Sequence, residues 1–228
     1  MVKIMNLDRD VELNLVFAFA DAKSQVCRFN KLDYLFGYKN GLPWDHIVED
    51  MKSFKRNTTS DGRGSVVVMG VKTFETIPDL PDRYTMVIVS AYRDIPNIKN
   101  KSGNKPDFYI TQEQLNACKD VFEVKSMIVD IVETQHTIGE IEKISVIGGA
   151  ATLEYFHNRK FYDFAYMNIV GMDQDEWHDR YDDEDTTVTI SNEMIDDIIR
   201  SGFCILLEHS ICGYMSEYTL TQTIFERL

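Results

Sequence analysis

The sequence predicts an α/β fold: a single domain around a central, mostly parallel twisted sheet with flanking helices and an antiparallel edge strand at the C-terminal end. Three observations carry this expectation. Short runs rich in β-branched and other apolar residues recur at Leu13–Ala20, Ser65–Met69, Thr85–Ser90 and Lys143–Ile147. Helical patterns at His46–Asn57, Lys72–Thr76 and Glu113–Thr134 lie between them, and this alternation is the signature of parallel strands joined by crossover helices. After residue 150 the chain offers a short helix at Ala151–Phe156, a strand at Phe164–Val170 and a pair of strands near Ile205–His209 and Glu217–Ile224, whose short connection calls for antiparallel pairing.

Each element has a local reason. Leu13–Ala20 is almost continuously apolar, as a strand covered on both faces should be. In Gly41-Leu42-Pro43-Trp44, the proline fixes its own backbone and forces Leu42 into an extended conformation, which ends a loop and presents Trp44 in a set direction. In the helix that follows, Ile47, Met51 and Phe54 fall at spacings of four and three, and Asp50 shares their face. A carboxylate there is either an amphipathic edge or an acid set in a pocket for hydrogen bonding or proton transfer. Val66–Met69 runs into Gly70-Val71-Lys72-Thr73, and Ile147-Gly148-Gly149 repeats that arrangement before a helix near Ala151. Glycine permits close backbone approach, and a helix start offers free amides to an anion. Neither segment is the Gly-x-Gly-x-x-Gly fingerprint, but both turns stand at the carboxyl ends of strands, where open α/β folds bind ligands.

Composition narrows the class. The 228 residues, 44% hydrophobic and 27% charged, suit one globular domain with insertions. Residues 1–12 read as an N-terminal extension and 13–228 as the domain, with loop insertions near 21–35, 92–107 and 172–187. A net charge of −13 argues against nucleic acid and anionic membrane as partners. The apolar run Leu15–Ala20 is too short for a signal sequence and nothing approaches a membrane span, so a cytoplasmic location is expected. Cys27, Cys118, Cys204 and Cys212 show neither metal-ligand nor redox spacing. They read as reduced structural thiols. Asp94–Pro106 is polar and loop-like, and Asp173–Asp185 is densely acidic. The acidic stretch lacks the glycine and the twelfth-position glutamate of a calcium loop, so a solvated loop and no metal site are expected.

At this point the ordered motifs resemble those of dihydrofolate reductase. Phe36 to Trp44 is similar to that family's active-site loop, and Asp50-Met51-x-x-Phe54-Lys55-x-x-Thr58 to its substrate helix. Val68-Met69-Gly70-x-Lys72-Thr73-Phe74-x-x-Ile77-Pro78 resembles its Met-Gly-Arg-x-Thr-Trp segment, Leu80-Pro81-x-Arg83 its Leu-Pro-Gly-Arg, and Val146-Ile147-Gly148-Gly149 its Gly-Gly cofactor turn. The long segment between Ala20 and Phe36, together with Met69-Gly70-x-Lys72-Thr73-Phe74 and the short gap before Leu80, makes the resemblance greatest to reductases of large tailed bacteriophages.

The resemblance implies NADPH-dependent reduction of dihydrofolate to tetrahydrofolate in support of thymidylate and one-carbon metabolism. It leaves monomer and homodimer both open, and antifolates become candidate ligands. Asp50 would be the catalytic acid, in an apolar setting that raises its pKa, with Trp44 at the mouth of the pocket and Leu42 against the nicotinamide. Val16, Met51, Phe54, Ile77, Arg83 and Ile147 would bind substrate, Phe54 packing on its aromatic ring and Arg83 pairing with its glutamate tail. Ala18, Asn40, Gly41, Gly70, Lys72, Thr73, Ser90, Gly148, Gly149 and Ala150 would bind the cofactor, with a cis Gly148-Gly149 peptide. Four departures stand out. Val71 replaces a basic residue that reads the ribose 2′-phosphate, a role for which Lys72 or Arg93 could substitute. Asp82 replaces a glycine, and Leu153 a tyrosine. Met167 falls where a threonine or serine hydrogen-bonds the acid. Met167 and Val71, together with the acidic stretch Asp173–Asp185, motivate an alternative, a reductase-like binding or structural protein with weak or no turnover.

Overall fold

A computed structural model of the chain describes residues 11–23, 33–44, 46–61, 64–91, 97–135, 140–171, 187–212 and 218–228. The acidic stretch Asp173–Asp185, most of the N-terminal extension and Arg93 lie outside the described residues. In chain order the strands are β1 (Glu12–Lys23), β2 (Tyr34–Tyr38), β3 (Gly64–Gly70), β4 (Tyr84–Val89), β5 (Phe108–Thr111), β6 (Ile141–Gly148), β7 (Phe164–Gly171), β8 (Thr187–Ile190), β9 (Gly202–Cys212) and β10 (Tyr218–Arg227). The helices are α1 (Val48–Thr58), α2 (Val71–Thr76), α3 (Gln112–Ala117), α4 (Val121–Gln135), α5 (Ala150–Asn158) and α6 (Asn192–Ser201).

All strands join one sheet in the order β5-β4-β3-β6-β1-β7-β10-β9, with β2 bridging from β1 to β8. The six strands from β5 to β7 are parallel, while β10, β9, β2 and β8 pair antiparallel. The α/β expectation is met in class and in every expected strand. The C-terminal strand β10 is not the edge, however. It lies between β7 and β9, and β9 forms the rim.

The expected long helix over Glu113–Thr134 is two helices. A capping box between Thr111 and Gln114 starts α3, the backbone turns extended at Cys118, and the Asp120 side chain accepts the Glu123 amide at 2.9 Å to open α4. Two separately capped starts favour a break over a continuous rod. Strand β5 begins just after the loop-like region, where the Asp107 carboxylate accepts the Thr85 backbone amide at 2.7 Å.

The sheet is covered on both faces. Leu13, Leu15, Phe17 and Phe19 of β1 pack with Val66, Val68, Ile144, Val146 and Met167 under α4, α5 and α6. On the other face Val67, Met69, Val87 and Val89 enclose Phe74 and Ile98, and Ala20, Leu35, Trp44, Ile47, Val170 and Leu220 form a separate cluster. A buried histidine ties α5 to α6. His157 Nε2 lies 3.0 Å from Asp197 Oδ2, and its Nδ1 is 3.2 Å from the Tyr162 hydroxyl. Burial holds the imidazole below its ordinary pKa and pushes Tyr162 up to about 12.

One irregularity of pairing positions the site. Strand β1 pairs with β6 only as far as Leu15↔Val146, yet runs beside β7 from Asn14 to Ala20, while β6 continues beside β3 to Met69↔Gly148. Past Leu15 the ladder between β1 and β6 ends. The resulting fork, bordered by Val16 and Ala18 on one side and Ile147 and Gly148 on the other, is the kind of sheet division at which α/β folds place ligands.

Gly202 joins α6 directly to β9. A Cβ at this position would stand 2.8 Å from the Ile198 carbonyl oxygen and 3.1 Å from both the Glu226 carbonyl and Phe225 Cβ. Gly202→Ala is therefore expected to destabilise the protein by about 1–3 kcal/mol, measured as a lower urea midpoint at unchanged slope. An unchanged midpoint would show that the junction yields without cost.

Candidate active site

Helix α1 turns an unusual face to the sheet. Its buried residues are Asp50, Ser53, Asn57 and Thr58, and the strands beneath present Asn14, Ser145 and Asn168, all buried. This corrects the expectation that Asp50 shares an apolar stripe with Met51 and Phe54. Met51 is 41% exposed and Phe54 is half-buried, because the polar sheet surface selects the polar side of the helix. Ile47 is buried, but as the residue that precedes the first turn.

Asp50 itself is only 5% exposed. Asn168 Nδ2 donates to its Oδ1 at 2.6 Å. Burial pushes the acid's pKa up, and the Asn168 donor, the Trp44 indole and the charge of His46 oppose that rise. The raised pKa is as expected, although the neighbour that matters most is polar. Among the described residues the Trp44 N–H makes no hydrogen bond of ordinary geometry, so its influence on Asp50 is that of a nearby dipole.

Met167 does not stand at the acid. It is fully buried on the opposite face beside Phe17, and the next residue, Asn168, supplies the hydrogen bond. Successive strand residues point to opposite faces, so an assignment displaced by one residue exchanges a core side chain for a site side chain.

At the other end of α1, Arg83 places its guanidinium 5.5 Å from the centre of the Phe54 ring, donates to Thr58 Oγ1 at 2.7 Å and to the Pro81 carbonyl at 3.2 Å. Stacking and two hydrogen bonds fix a long side chain that would otherwise be free. Asp82, in the place of a glycine, takes φ 66°. The turn keeps a glycine-like backbone, which aspartate tolerates better than most residues.

The Pro-Trp segment is anchored at its start. Tyr38 and Gly41 exchange backbone hydrogen bonds at 3.0 and 2.9 Å, with Lys39 and Asn40 both at positive φ, so Lys39 and Asn40 form a tight two-residue turn that Tyr38 and Gly41 close. Leu42 is 49% exposed, whereas Trp44 is buried against Ala20, Leu35 and Ile47.

The two glycine turns lie side by side at the ends of β3 and β6. A Cβ on Gly70 would approach Thr152 Oγ1 to 3.2 Å, and one on Gly149 would approach Thr73 Oγ1 to 3.2 Å. Each turn thus receives the threonine of the other helix. Neither helix start carries a side-chain cap, which leaves its first amides for an anion. The Gly148-Gly149 peptide is cis, as the resemblance implied. Thr152 is a residue that sequence reading missed. The signal was present, since Gly149-Ala150-Ala151-Thr152 repeats the spacing of Gly70-Val71-Lys72-Thr73.

Around these turns Val16 is buried, Ala18, Ile77, Ile147 and Ala150 are half-buried, and Lys72 and Ser90 are exposed. Val71 packs with Ile77, Leu80 and Ile147 against the cluster around Phe74. Leu153 is fully buried in the main core.

Comparisons with known proteins agree with this geometry. A family model described as dihydrofolate reductase matches residues 29–105. The dihydrofolate reductase HdrB of Haloferax volcanii is 29% identical over 157 residues, covering 67% of this chain and 62% of that protein. A viral dihydrofolate reductase of Saimiriine herpesvirus 2 (strain 488) is 25% identical over 121 residues, 50% of this chain and 48% of the viral protein. The chain therefore spans less than two thirds of the length of these curated relatives. Among solved structures, a dihydrofolate reductase from Enterococcus faecalis, complexed with NADP(H) and RAB-propyl, superposes with a TM-score of 0.57 at 16% identity, covering 96% of this chain and 98% of that one. In sequence the chain is similar to dihydrofolate reductases, and it shares their fold.

Proposed function

We propose that the chain is a dihydrofolate reductase that reduces 7,8-dihydrofolate at C6 and N5 to 5,6,7,8-tetrahydrofolate, with NADPH as the hydride donor. The observation that carries this reading is Asp50, a carboxylate 5% exposed beside the fork of the sheet. Asn168 takes one of its oxygens. The acid would accept hydrogen bonds from the pterin 2-amino group and ring nitrogen, a bidentate pattern suited to two carboxylate oxygens. Its raised pKa suits it to assist proton delivery to N5 through water. Phe54 would pack on the substrate's aromatic ring, and Arg83, already held by Thr58 and Phe54, would pair with the glutamate tail. Leu42 and Trp44 would exclude water at the mouth.

The paired glycine turns fit a dinucleotide. Their Cα positions are open where a side chain would crowd Thr73 or Thr152, and the free helix starts of α2 and α5 would hold the pyrophosphate, with Ala18, Asn40, Gly41, Ser90 and Ala150 lining the remainder. Of the departures that favoured a fold without turnover, the one at Met167 loses its weight, because Asn168 supplies a donor to the acid. The likeness to tailed-phage reductases is a reading of the segment between Ala20 and Phe36, of Met69-Gly70-x-Lys72-Thr73-Phe74 and of the short gap before Leu80.

Asp50→Asn should cut turnover by about two orders of magnitude or more, since the amide cannot supply the charge that a protonated pterin needs. The same substitution should raise stability at neutral pH. A folded-state pKa above the unfolded value means that the folded protein binds more protons in the interval between the two, so stability falls as pH rises through it and the deficit persists at pH 7. The variant's advantage in thermal midpoint should accordingly grow from acid to neutral pH, and undiminished turnover would remove Asp50 from the mechanism. For the cofactor, kcat/KM should favour NADPH over NADH, and either Lys72→Ala or Arg93→Ala should reduce that preference by about tenfold, as loss of one charge-assisted hydrogen bond would. An unaltered ratio in both variants would assign the 2′-phosphate to other groups.

A further inference from the structure

The buried face of α1 carries Asp50, Ser53 and Asn57, and β7 sets Asn168 beneath them. Their hydrogen bonds form a chain with a single direction. Asn57 Nδ2 donates to Ser53 Oγ at 3.2 Å, Ser53 Oγ donates to Asn168 Oδ1 at 3.3 Å, and Asn168 Nδ2 donates to Asp50 Oδ1 at 2.6 Å. All four side chains are at least nine-tenths buried.

Direction matters because Ser53, Asn57 and Asn168 are each ambiguous by themselves. A serine hydroxyl has one proton and can donate or accept. With its amide nitrogen turned to Ser53, Asn57 can only donate there, so it occupies a lone pair of Ser53 and sends the serine proton toward Asn168. An asparagine side chain can present either end to a neighbour. The serine proton selects its oxygen, which leaves the Nδ2 donor facing Asp50. A carboxylate accepts that donor, whereas a protonated acid would prefer an acceptor there. Hydrogen bonds aligned in this way also polarise one another in a low-dielectric interior.

We propose that Ser53 and Asn57 are positioning residues which act through Asn168 to hold Asp50 in its carboxylate form. Burial pushes the acid toward protonation, and the donor chain opposes it. The other groups that bear on Asp50 enter from elsewhere: His46 and the Trp44 indole from the segment before α1. On the strands beneath the helix, Tyr166 lies two residues from Asn168 on the same face. Toward the far end of α1 lie Glu12, bonded to Asn14, and Lys143, which donates to the Thr59 carbonyl at 3.2 Å. For its kinetic consequence the inference rests on the reductase reading, but the state of Asp50 can be measured without turnover.

The test is a carbon-13 NMR titration of the Asp50 carboxyl in the full chain without ligand, with the signal assigned by its loss in Asp50→Asn. Asn57→Ala and Ser53→Ala should each raise the midpoint by about half a unit to one unit, a threefold to tenfold change in acid dissociation. The double variant should shift no further than Ser53→Ala alone, because Asn57 acts through Ser53. Ser53→Thr, which keeps the hydroxyl, should leave the midpoint in place; should that variant fail to fold, the Asn57→Ala titration decides. A midpoint within about 0.2 unit of the parent in Asn57→Ala, or additive shifts in the double variant, would overturn the proposal. Shifted midpoints in a protein without dihydrofolate-dependent turnover would uphold it and reject the reductase reading instead.

Discussion

The hydrogen bond from Asn168 to Asp50 is the constraint on which the rest of this structure depends. Placing a carboxylate where only 5% of it meets solvent is costly unless donors receive it. That requirement accounts for features that would otherwise be anomalous: a helix whose buried face is polar, and strands that present asparagine and serine to it. Stability would be better served by an apolar seam. A polar one persists where function exploits the charge, and strain of this kind concentrates at sites.

The fold supplies the remaining parts through two local rules. Strand β1 leaves β6 and stays with β7, which opens the sheet beside Asp50 and brings Asn168 opposite Ala18. Parallel strands β3 and β6 end side by side, so the helices that follow begin at neighbouring points, each start lying against the other's threonine. The acid and the paired anion cradles therefore stand at one end of one sheet without any long-range device beyond strand order. The Arg83 clamp is fixed separately, through Phe54 and Thr58 at the far end of α1.

Much of this was legible in the residues. Strands β3, β4 and β6 are short and β-branched, β1 is almost continuously apolar over Leu13–Ala20, and the glycine turns announce themselves by position. The polar face of α1 was not legible, because periodicity ranks Ile47, Met51 and Phe54 as the inward face whenever the surface beneath is assumed to be apolar. Only the sheet reveals Asn14, Ser145 and Asn168 below. The sequence places Met167 where Asn168 stands, because a strand's register cannot be fixed to one residue without its neighbours. β5 and β8 were missed as four-residue strands, too short to show alternation. α6 was overlooked although Ser191 caps it and Met194, Ile195 and Ile198 recur at helical spacing.

The central claim is that this geometry performs chemistry on a folate rather than merely preserving a reductase-like shape. The most direct measurement is the absorbance of reduced nicotinamide over many enzyme equivalents, with the unaltered chain, NADPH and dihydrofolate. Steady oxidation that requires dihydrofolate, continues well beyond one turnover and yields tetrahydrofolate is the predicted result. Binding of both molecules with no oxidation above the enzyme-free rate would contradict it.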